Sequence, residues 1–406
     1  MNNYSLKDKV LFITGGSRGI GKAIALRAAA DGANIVIAAK TTAKNANQDE
    51  TIYSTAEQIV KVGGQCLPVF CDIRNEKNIE AAIKAAVDRF ETIDILINNA
   101  SAIHLRGTLD TEIKRFDLMH NVNVRGTWIT SKLCLPHLLK STNPHILNIS
   151  PPLLMDPIWF EKHTAYTISK YGMSMCALGM AREFSKQGVA VNALWPLTSI
   201  ATAATKMLGG EELLKKSRKP EIMADAAHAI LTRSSKQCTG NFFIDEYVLR
   251  EEGVSNFSKY AYSPGHRLTM DFFVKQQSQG KLQNNGQDKV IVLLQIILQN
   301  FEKSNISKTI NSNPSSTATL QCNVKEDCYR PEQTYTVELK SGDAHVVKGK
   351  PLSKPDCVVS LYMDDLYTIV YGNLDPHKAV SNNRITVIGD SKLAMTLLGS
   401  PLNARL

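Results

Sequence analysis

The segment TGGSRGIG, which runs from Thr14 to Gly21, constrains the fold of this chain more than any other feature. It follows the apolar run KVLFI and precedes GKAIALRAAADG, which has helical periodicity. Between a strand and a helix, such glycines permit a tight turn, close approach of the backbone to a pyrophosphate, and close packing of helix on strand. The helix N-terminus also favours negative charge. The segment therefore predicts a dinucleotide-binding loop, with an ordinary glycine turn as the alternative.

Short apolar runs alternate with helical patterns from Lys9 to about Asp245. Seven of these runs predict buried strands: KVLFITGG, ANIVIAAK, QCLPVFCDI, IDILINNA, HILNIS, VAVNALWP and NFFIDE. Alternation of this kind is typical of a parallel sheet with helices on both faces. We therefore expect an α/β fold with a Rossmann-type doubly wound parallel sheet.

The chain of 406 residues is longer than one typical core, so more than one domain is expected. The stretch KQQSQGKLQNNGQDK is polar and lacks apolar periodicity, which is typical of a linker. Beyond it, VIVLLQIILQNF predicts a helix and QTYTVELKSGDAHVVKGK a hairpin. We predict a first domain at residues 1–274, a linker at 275–287 and a smaller α+β domain at 288–406.

Composition excludes several classes of protein. The chain is 43% hydrophobic and has no run of eighteen apolar residues, so we expect no integral membrane segment. The start MNNYSLKDKV lacks the apolar region of a secretory signal, which favours an intracellular location. The eight cysteines include no CxxC pair, so we expect free thiols and no metal site. The net charge of +9 comes without a basic stripe interleaved with aromatic residues, so no nucleic acid partner is expected.

The end of the second predicted strand bears on the choice of cofactor. An NAD-binding site normally has Asp or Glu there to bind the ribose 2′-hydroxyl, whereas IVIAAK ends in Lys40 with no acid beside it. Arg18 adds a second cation inside the glycine loop. Two cations suit a 2′-phosphate, so NADP is favoured. The alternative is that both are ordinary solvated surface cations.

Five segments in order resemble the short-chain dehydrogenase/reductase family: TGGSRGIG, CDI at 71–73, NNA at 98–100, NVNVRG at 121–126, and Tyr166-x-x-x-Lys170. The resemblance implies an oxidoreductase, for which dimers or tetramers are usual, and therefore a homo-oligomer. It implies that Asp72 touches the adenine, that Asn98 supports the strand beside the cofactor, and that Asn123 orders a proton-relay water. The implied cofactor-binding set is Thr14, Gly15, Gly16, Ser17, Arg18, Gly19, Ile20, Gly21, Lys40, Asp72, Asn98 and Lys170.

Tyr166 and Lys170 predict a proton-transfer site. Hydride transfer to a carbonyl carbon requires a proton at the oxygen, and a tyrosine with its ordinary pKa of about 10 is poorly tuned for this near neutral pH. Lys170 lies one helical turn from Tyr166, so its charge would favour the phenolate, and its ammonium could also hold the nicotinamide ribose. We therefore predict that Tyr166 is the proton donor or acceptor.

The stretch NISPP departs from the family pattern, in which a serine hydroxyl stabilises the substrate oxygen. Alignment with Asn-x-Ser-Ser places Ser150 on the non-catalytic serine and Pro151 on the catalytic one. Neighbouring extended residues point to opposite faces, so Ser150 is a doubtful substitute unless the backbone changes locally. Leu197 also replaces a usual glycine, and the loop from Leu197 to Pro220 is expected to form the substrate lid.

The stretch PDCVVSLYMDDLYTIVYGNLDPHKAVSNNRITVIGDSKLAMTLLG resembles the sterol carrier protein type-2 domain, which encloses an apolar tunnel for fatty acyl chains or sterols. The Gly-Lys pair that the family usually has near Asn382 and Asn383 is absent. Five apolar residues could line a tunnel or belong to an ordinary core: Ile369, Val370, Ile388, Leu393 and Leu397.

Two functions follow from these resemblances. The favoured one is an NADP-dependent oxidoreductase acting on a carbonyl or hydroxyl group of a lipid. The alternative is a lipid carrier or interaction protein whose Rossmann domain binds NADP but has weak activity, as the loss of the serine hydroxyl at Pro151 would allow. The tripeptide Ala404-Arg405-Leu406 resembles a peroxisomal address. We therefore expect recognition by the peroxisomal import receptor, and a location in the peroxisome or also the mitochondrion.

Overall fold

The computed structural model of the protein describes residues 5–43, 50–274, 289–303, 318–325, 332–340, 343–370, 374–382 and 384–399. The expected linker at 275–287 and the C-terminal tripeptide lie outside these residues. The chain divides into two compact units, Met1–Ser278 and Gln279–Leu406. In the part of the chain that is described, every helix is too short or too polar to span a lipid bilayer.

The first unit is built on one seven-stranded sheet in which all neighbouring strands are parallel. The order across the sheet is β3-β2-β1-β4-β5-β6-β7, which confirms the predicted doubly wound fold. The strands are β1 Val10–Thr14, β2 Asn34–Ala39, β3 Gln65–Phe70, β4 Ile95–Asn98, β5 His145–Asn148, β6 Ala190–Trp195 and β7 Phe242–Ile244. The order reverses direction between β1 and β4, and doubly wound sheets bind ligands at the carboxyl ends of strands at such a point.

Helices cover both faces of this sheet. They are α1 Gly19–Ala29, α2 Ile52–Lys61, α3 Glu76–Phe90, α4 Ile113–Met119, α5 Thr127–Leu138, α6 Thr164–Glu183, α7 Ala203–Lys215, α8 Glu221–Leu231 and α9 Asp245–Glu251, with a π-helix at His120–Gly126 and short 3₁₀ turns at Pro157–Trp159, Ser185–Gln187 and Ser258–Tyr260. Strand residues alternate between the two faces: Leu11 and Ile13 pack with α1 and α8, whereas Val10 and Phe12 pack with α3, α5 and α6. This period of two explains why each strand is apolar on both sides.

The second unit has a five-stranded mixed sheet of order β10-β9-β8-β11-β12. Its strands are β8 Ala318–Lys325, β9 Gln333–Lys340, β10 Asp343–Lys348, β11 Cys357–Tyr362 and β12 Ile385–Gly389, and its helices are α10 Lys289–Lys303, α11 Met363–Val370, α12 Pro376–Ser381 and α13 Ser391–Leu398. β9 and β10 pair antiparallel, as the predicted hairpin requires, and β8 pairs parallel with β11.

The apolar residues that could line a tunnel in this unit do not behave alike. Ile369, Val370, Leu393 and Leu397 are buried in its apolar cluster, where they serve as core. Ile388 is 66% exposed, because it lies on the face of β12 opposite to Ile385 and Val387, which pack in the apolar cluster. Ile388 is therefore a surface residue, and neither of the two roles considered for it fits.

Candidate active site

The glycine loop adopts the conformation that its sequence requires. Gly15 and Gly19 have φ of 65° and 56°, a region in which residues with a Cβ atom are strained. A Cβ atom on Gly15 would lie 2.9 Å from the Cα of Ala100. The loop therefore leaves room for close approach of an anionic group to the N-terminus of α1.

Asn99 braces this loop, a role that sequence reasoning did not assign. Its Nδ2 donates hydrogen bonds to the carbonyl oxygens of Thr14 at 3.1 Å and Gly15 at 2.9 Å. Its backbone N–H donates to Thr14 Oγ1 at 3.1 Å. A Cβ atom on Gly21 would collide with the same Asn99 amide. Asn99 thus fixes the turn between β1 and α1. The second asparagine of the NNA motif is the sequence feature that could have predicted this role.

Asn98 is buried, and its contacts fit its expected role of supporting the strand. Its Nδ2 donates to Ser131 Oγ at 3.0 Å and to Asn148 Oδ1 at 2.9 Å. Asn148 in turn donates from Nδ2 to the carbonyl of Met173 at 3.0 Å. These bonds join β4, β5, α5 and α6 at the edge of the sheet where the glycine loop lies.

Two cations and one carboxylate lie at the carboxyl ends of β2 and β3, and a third cation lies between β1 and α1. Arg18 is exposed at the start of α1 and makes no side-chain cap hydrogen bond. Lys40 is 54% exposed, and its Nζ lies 3.8 Å from Asp72 Oδ2. Arg74, which sequence reasoning missed, donates from Nε and Nη2 to both oxygens of Asp72. The Arg74 guanidinium is the main reason that the pKa of Asp72 lies below its usual value.

This arrangement fits a dinucleotide. The glycine loop and the α1 N-terminus suit a pyrophosphate, and the surrounding cations suit further negative charge. The only acid in this group, Asp72, is already neutralised by Arg74, so its carboxylate does not oppose an anionic ligand. Its expected contact with an adenine stays a prediction.

Tyr166 and Lys170 lie one turn apart on α6, and both are buried, with exposed fractions of 4% and 2%. Lys170 Nζ donates to the carbonyl of Ile149 at 2.7 Å and lies 5.0 Å from the ring centroid of Trp195. Burial lowers the pKa of Lys170 to about 7 and raises the pKa of Tyr166 well above its ordinary value. The pKa of Tyr166 therefore moves opposite to the expected direction, because burial, with the charge of Asp271, favours the neutral phenol.

Asn123 lies in the π-helix and is fully buried. Its Oδ1 accepts from the N–H of Ala102 at 2.7 Å, and its Nδ2 donates to the carbonyl of Ala102 and to Ser169 Oγ, both at 2.9 Å. Ser169 Oγ donates to the carbonyl of Tyr166 at 2.8 Å. The Asn123 amide is thus occupied by protein groups and ties the loop after β4 to the turn of α6 that carries Tyr166. The expected ordering of a relay water by Asn123 stays a prediction.

Ser150 and Pro151 follow the end of β5. Ser150 is buried, and its Oγ has no hydrogen-bond partner within the described part of the chain. Pro151 offers only its carbonyl, which accepts from Ser174 Oγ. A buried hydroxyl without a partner is costly, at about 1–3 kcal/mol. The Ser150 hydroxyl is therefore an available hydrogen-bond donor at this position. It directly follows Ile149, whose carbonyl accepts from Lys170.

The segment from Thr269 to Val274, named here the DFF segment, packs beside Tyr166, and sequence reasoning missed it. The ring centroids of Phe272 and Phe273 each lie 6.1 Å from that of Tyr166. Asp271 Oδ1 accepts from Trp195 Nε1 at 2.7 Å and from the N–H of Phe273 at 3.1 Å. No periodicity in the sequence marks this segment, because it pairs with the residues after β6 rather than with a neighbour in sequence.

The expected lid, residues 197–220, contains the helix α7 and is not only a loop. The two ends of this segment are joined by a hydrogen bond from the N–H of Ala201 to the carbonyl of Arg218 at 2.7 Å. Arg218 also forms a buried ion pair with Glu246. A Cβ atom on Gly19 would lie 3.4 Å from Thr202. The lid therefore begins against the glycine loop.

Comparison with known proteins gives two family matches. The short chain dehydrogenase model matches residues 9–212, and the SCP-2 sterol transfer family model matches residues 305–399. Proteins called hydroxysteroid dehydrogenase-like protein 2 are similar over almost the whole chain. The one from Danio rerio is 46% identical over 98% of this chain and 97% of its own length, and the one from Homo sapiens is 46% identical over 100% and 99%.

Solved structures match the first unit. One from Xanthomonas campestris, described as a dehydrogenase, is 54% identical with a TM-score of 0.66 and covers 67% of this chain and 100% of that one. A short chain dehydrogenase from Mycobacterium thermoresistibile is 47% identical with a TM-score of 0.64, over 67% and 97%.

Proposed function

Because this chain belongs to the short-chain dehydrogenase family and carries an SCP-2 sterol transfer domain, we propose that it is an NADP-dependent oxidoreductase acting on a carbonyl or hydroxyl group of a lipid. The observation that carries this proposal is the joint burial of Tyr166 and Lys170 at the sheet edge that also holds the glycine loop. A dehydrogenase needs a proton group and a cofactor loop at one place.

The contacts of the site residues support a separate role for each of them in the proposed reaction. Bound cofactor supplies or accepts the hydride. Tyr166 exchanges a proton with the substrate oxygen, Lys170 supplies positive charge beside it, and Asn123 holds the turn of α6 in place through Ser169. Burial of the pair excludes water and strengthens these electrostatic interactions.

NADP is proposed over NAD because of the charges near the adenosine end. Arg18, Lys40 and Arg74 provide three cations there, and Asp72, the single carboxylate among these four side chains, is ion-paired. A 2′-phosphate gains from this balance, whereas the 2′-hydroxyl of NAD normally binds a free carboxylate.

A lipid substrate is proposed from the aromatic wall of the site and from the SCP-2 domain. Phe272, which is only partly buried, packs beside Tyr166, and His163 lies edge-on against it with ring centroids 4.8 Å apart. Aromatic surfaces favour apolar ligands. An SCP-2 domain on the same chain would raise the local concentration of such ligands.

A second candidate is a lipid carrier that binds NADP but turns over slowly. It is favoured by Pro151, which has no side-chain donor at the position where the family has its catalytic hydroxyl, whereas the Ser150 hydroxyl, unpaired in the described residues, favours the oxidoreductase. We also propose that the C-terminal tripeptide is a peroxisomal address recognised by the import receptor, and that the protein forms a homo-oligomer.

The test uses lipids that co-purify with the protein. These lipids, extracted and returned to protein freed of lipid, should cause consumption of NADPH, and the Tyr166→Phe variant should not consume it. Wild-type protein that binds NADPH and lipid but consumes none would favour the carrier. Equal consumption by both proteins would refute Tyr166 as the proton group.

A further inference from the structure

Backbone hydrogen bonds attach the DFF segment to the residues that follow β6, next to the proposed proton-transfer site. The N–H of Ser199 donates to the carbonyl of Thr269 at 2.9 Å, and the N–H of Asp271 donates to the carbonyl of Leu197 at 3.0 Å. Phe273 is fully buried against Tyr166, Tyr171 and Trp195. These contacts fix the position of Asp271 beside the residues that follow β6.

Trp195 connects Asp271 to Lys170. One edge of the indole donates its N–H to Asp271 Oδ1 at 2.7 Å, and the ring lies 5.0 Å from Lys170 Nζ. A hydrogen bond to a carboxylate increases electron density in the indole, which strengthens attraction of a cation to the ring. Within the described residues no carboxylate forms a salt bridge with Lys170, whose direct contacts are the Ile149 carbonyl and Met173 Sδ.

We propose that Asp271 is a positioning residue of the active site, which acts through Trp195 to hold the Lys170 ammonium charged and in place for the cofactor. The inference rests on the proposed dehydrogenase function. It assigns a role to a carboxylate near the end of the first unit that no motif marks.

The directions of the pKa shifts of Lys170 and Asp271 agree with this role. Burial lowers the pKa of Lys170 to about 7, and the charge of Asp271 opposes this decrease. Burial raises the pKa of Asp271 to about 6, and Lys170 opposes that increase. The other groups around Lys170 are Tyr166 on the same helix, the neutral Trp195 ring from β6 and the Ile149 carbonyl after β5. Asp271 also raises the pKa of Tyr166, which keeps the phenol protonated.

The Asp271→Asn variant separates charge from packing, because the amide oxygen can still accept from Trp195 and the Phe273 N–H. If the pKa of Lys170 falls by about one unit, its charged fraction falls about tenfold at pH 8 and by less than about twofold at pH 6. NADPH affinity, measured by equilibrium titration between these pH values, should weaken in the same pattern. The Asp271→Glu variant keeps the charge and should retain the wild-type pH dependence.

A double-mutant cycle completes the test. In a Lys170→Met background, Asp271→Asn should change NADPH affinity little at either pH, because the group on which it acts is gone. A pH-independent loss shared by Asp271→Asn and Asp271→Glu would show a packing role and overturn the inference, as would unchanged binding by Asp271→Asn. Wild-type protein that binds neither NADPH nor NADH would instead refute the proposed function itself.

Discussion

Replacement of Lys40 by aspartate tests the proposed cofactor preference through a single charge reversal. Lys40 Nζ is 3.8 Å from Asp72 and the side chain is 54% exposed, so it can reach a ligand without a change of fold. The variant removes one positive charge and adds a negative one where we place the 2′-phosphate. It also adds a carboxylate at the end of β2, where NAD-binding sites have one.

The expected effect follows from the exposure of Lys40. Two unit charges 4 Å apart interact by about 1 kcal/mol in water and about 4 kcal/mol near a protein surface, and an exposed side chain lies toward the lower value. At the lower value, lost attraction and gained repulsion toward a phosphate carrying about −1.5 to −2 charges therefore sum to about 3–4 kcal/mol. This corresponds to NADPH affinity about 140-fold to 700-fold weaker, with NADH affinity unchanged or tighter.

Fluorescence titration of both cofactors at low and high salt measures this effect. The loss should shrink at high salt, because the Debye length falls from about 10 Å at 0.1 M to about 3 Å at 1 M. Lys84→Asp is the matched control, since Lys84 is exposed on α3 and pairs only with Asp88 in the described contacts. An unchanged ratio of NADPH to NADH affinity in Lys40→Asp would refute the assignment of Lys40.

Three further outcomes are expected. Asn99→Ala should lower the free energy of unfolding by about 1–2 kcal/mol in urea denaturation and weaken cofactor binding, because two loop carbonyls lose their donor. His145 is buried and its pKa is lowered to about 4, so the unfolded state binds more protons below pH 6.5; stability should fall by about 3 kcal/mol between pH 6.5 and pH 4, and His145→Gln should lose this part of the pH dependence. The full-length protein should bind fluorescent fatty acyl probes with affinity that rises by up to about 0.8 kcal/mol per methylene until the cavity is filled, and affinity independent of chain length would count against an acyl tunnel.

The fold was largely readable from the sequence, because its signals are local. Between Lys9 and Asp245, apolar periodicity predicts the strands and helices, and glycines mark the ends of helices. The glycine loop marks the end of β1, where the strand order reverses between β1 and β4. Ile388 shows the limit of this approach, since successive residues of a strand lie on opposite faces, and the sequence does not show that one face of β12 is exposed.

The site was only partly predictable, because several of its residues act across long separations in sequence. Asn99 braces a loop about 85 residues away, and Asp271 meets Trp195 across 76 residues. The raised pKa of Tyr166 was also not predictable, because it comes mainly from burial, and Phe272 and Phe273 of the distant DFF segment pack beside the Tyr166 ring.

Transfer of deuterium tests the central claim most directly. Protein is mixed with its co-purified lipids and NADPH deuterated at the transferred hydrogen, and the lipids are then examined by mass spectrometry. We expect a reduced lipid that carries one deuterium with wild-type protein and none with Tyr166→Phe, although that variant should still bind NADPH. Bound lipid and bound NADPH without any deuterated product from the wild-type protein would contradict the proposal that this chain is a lipid-directed oxidoreductase.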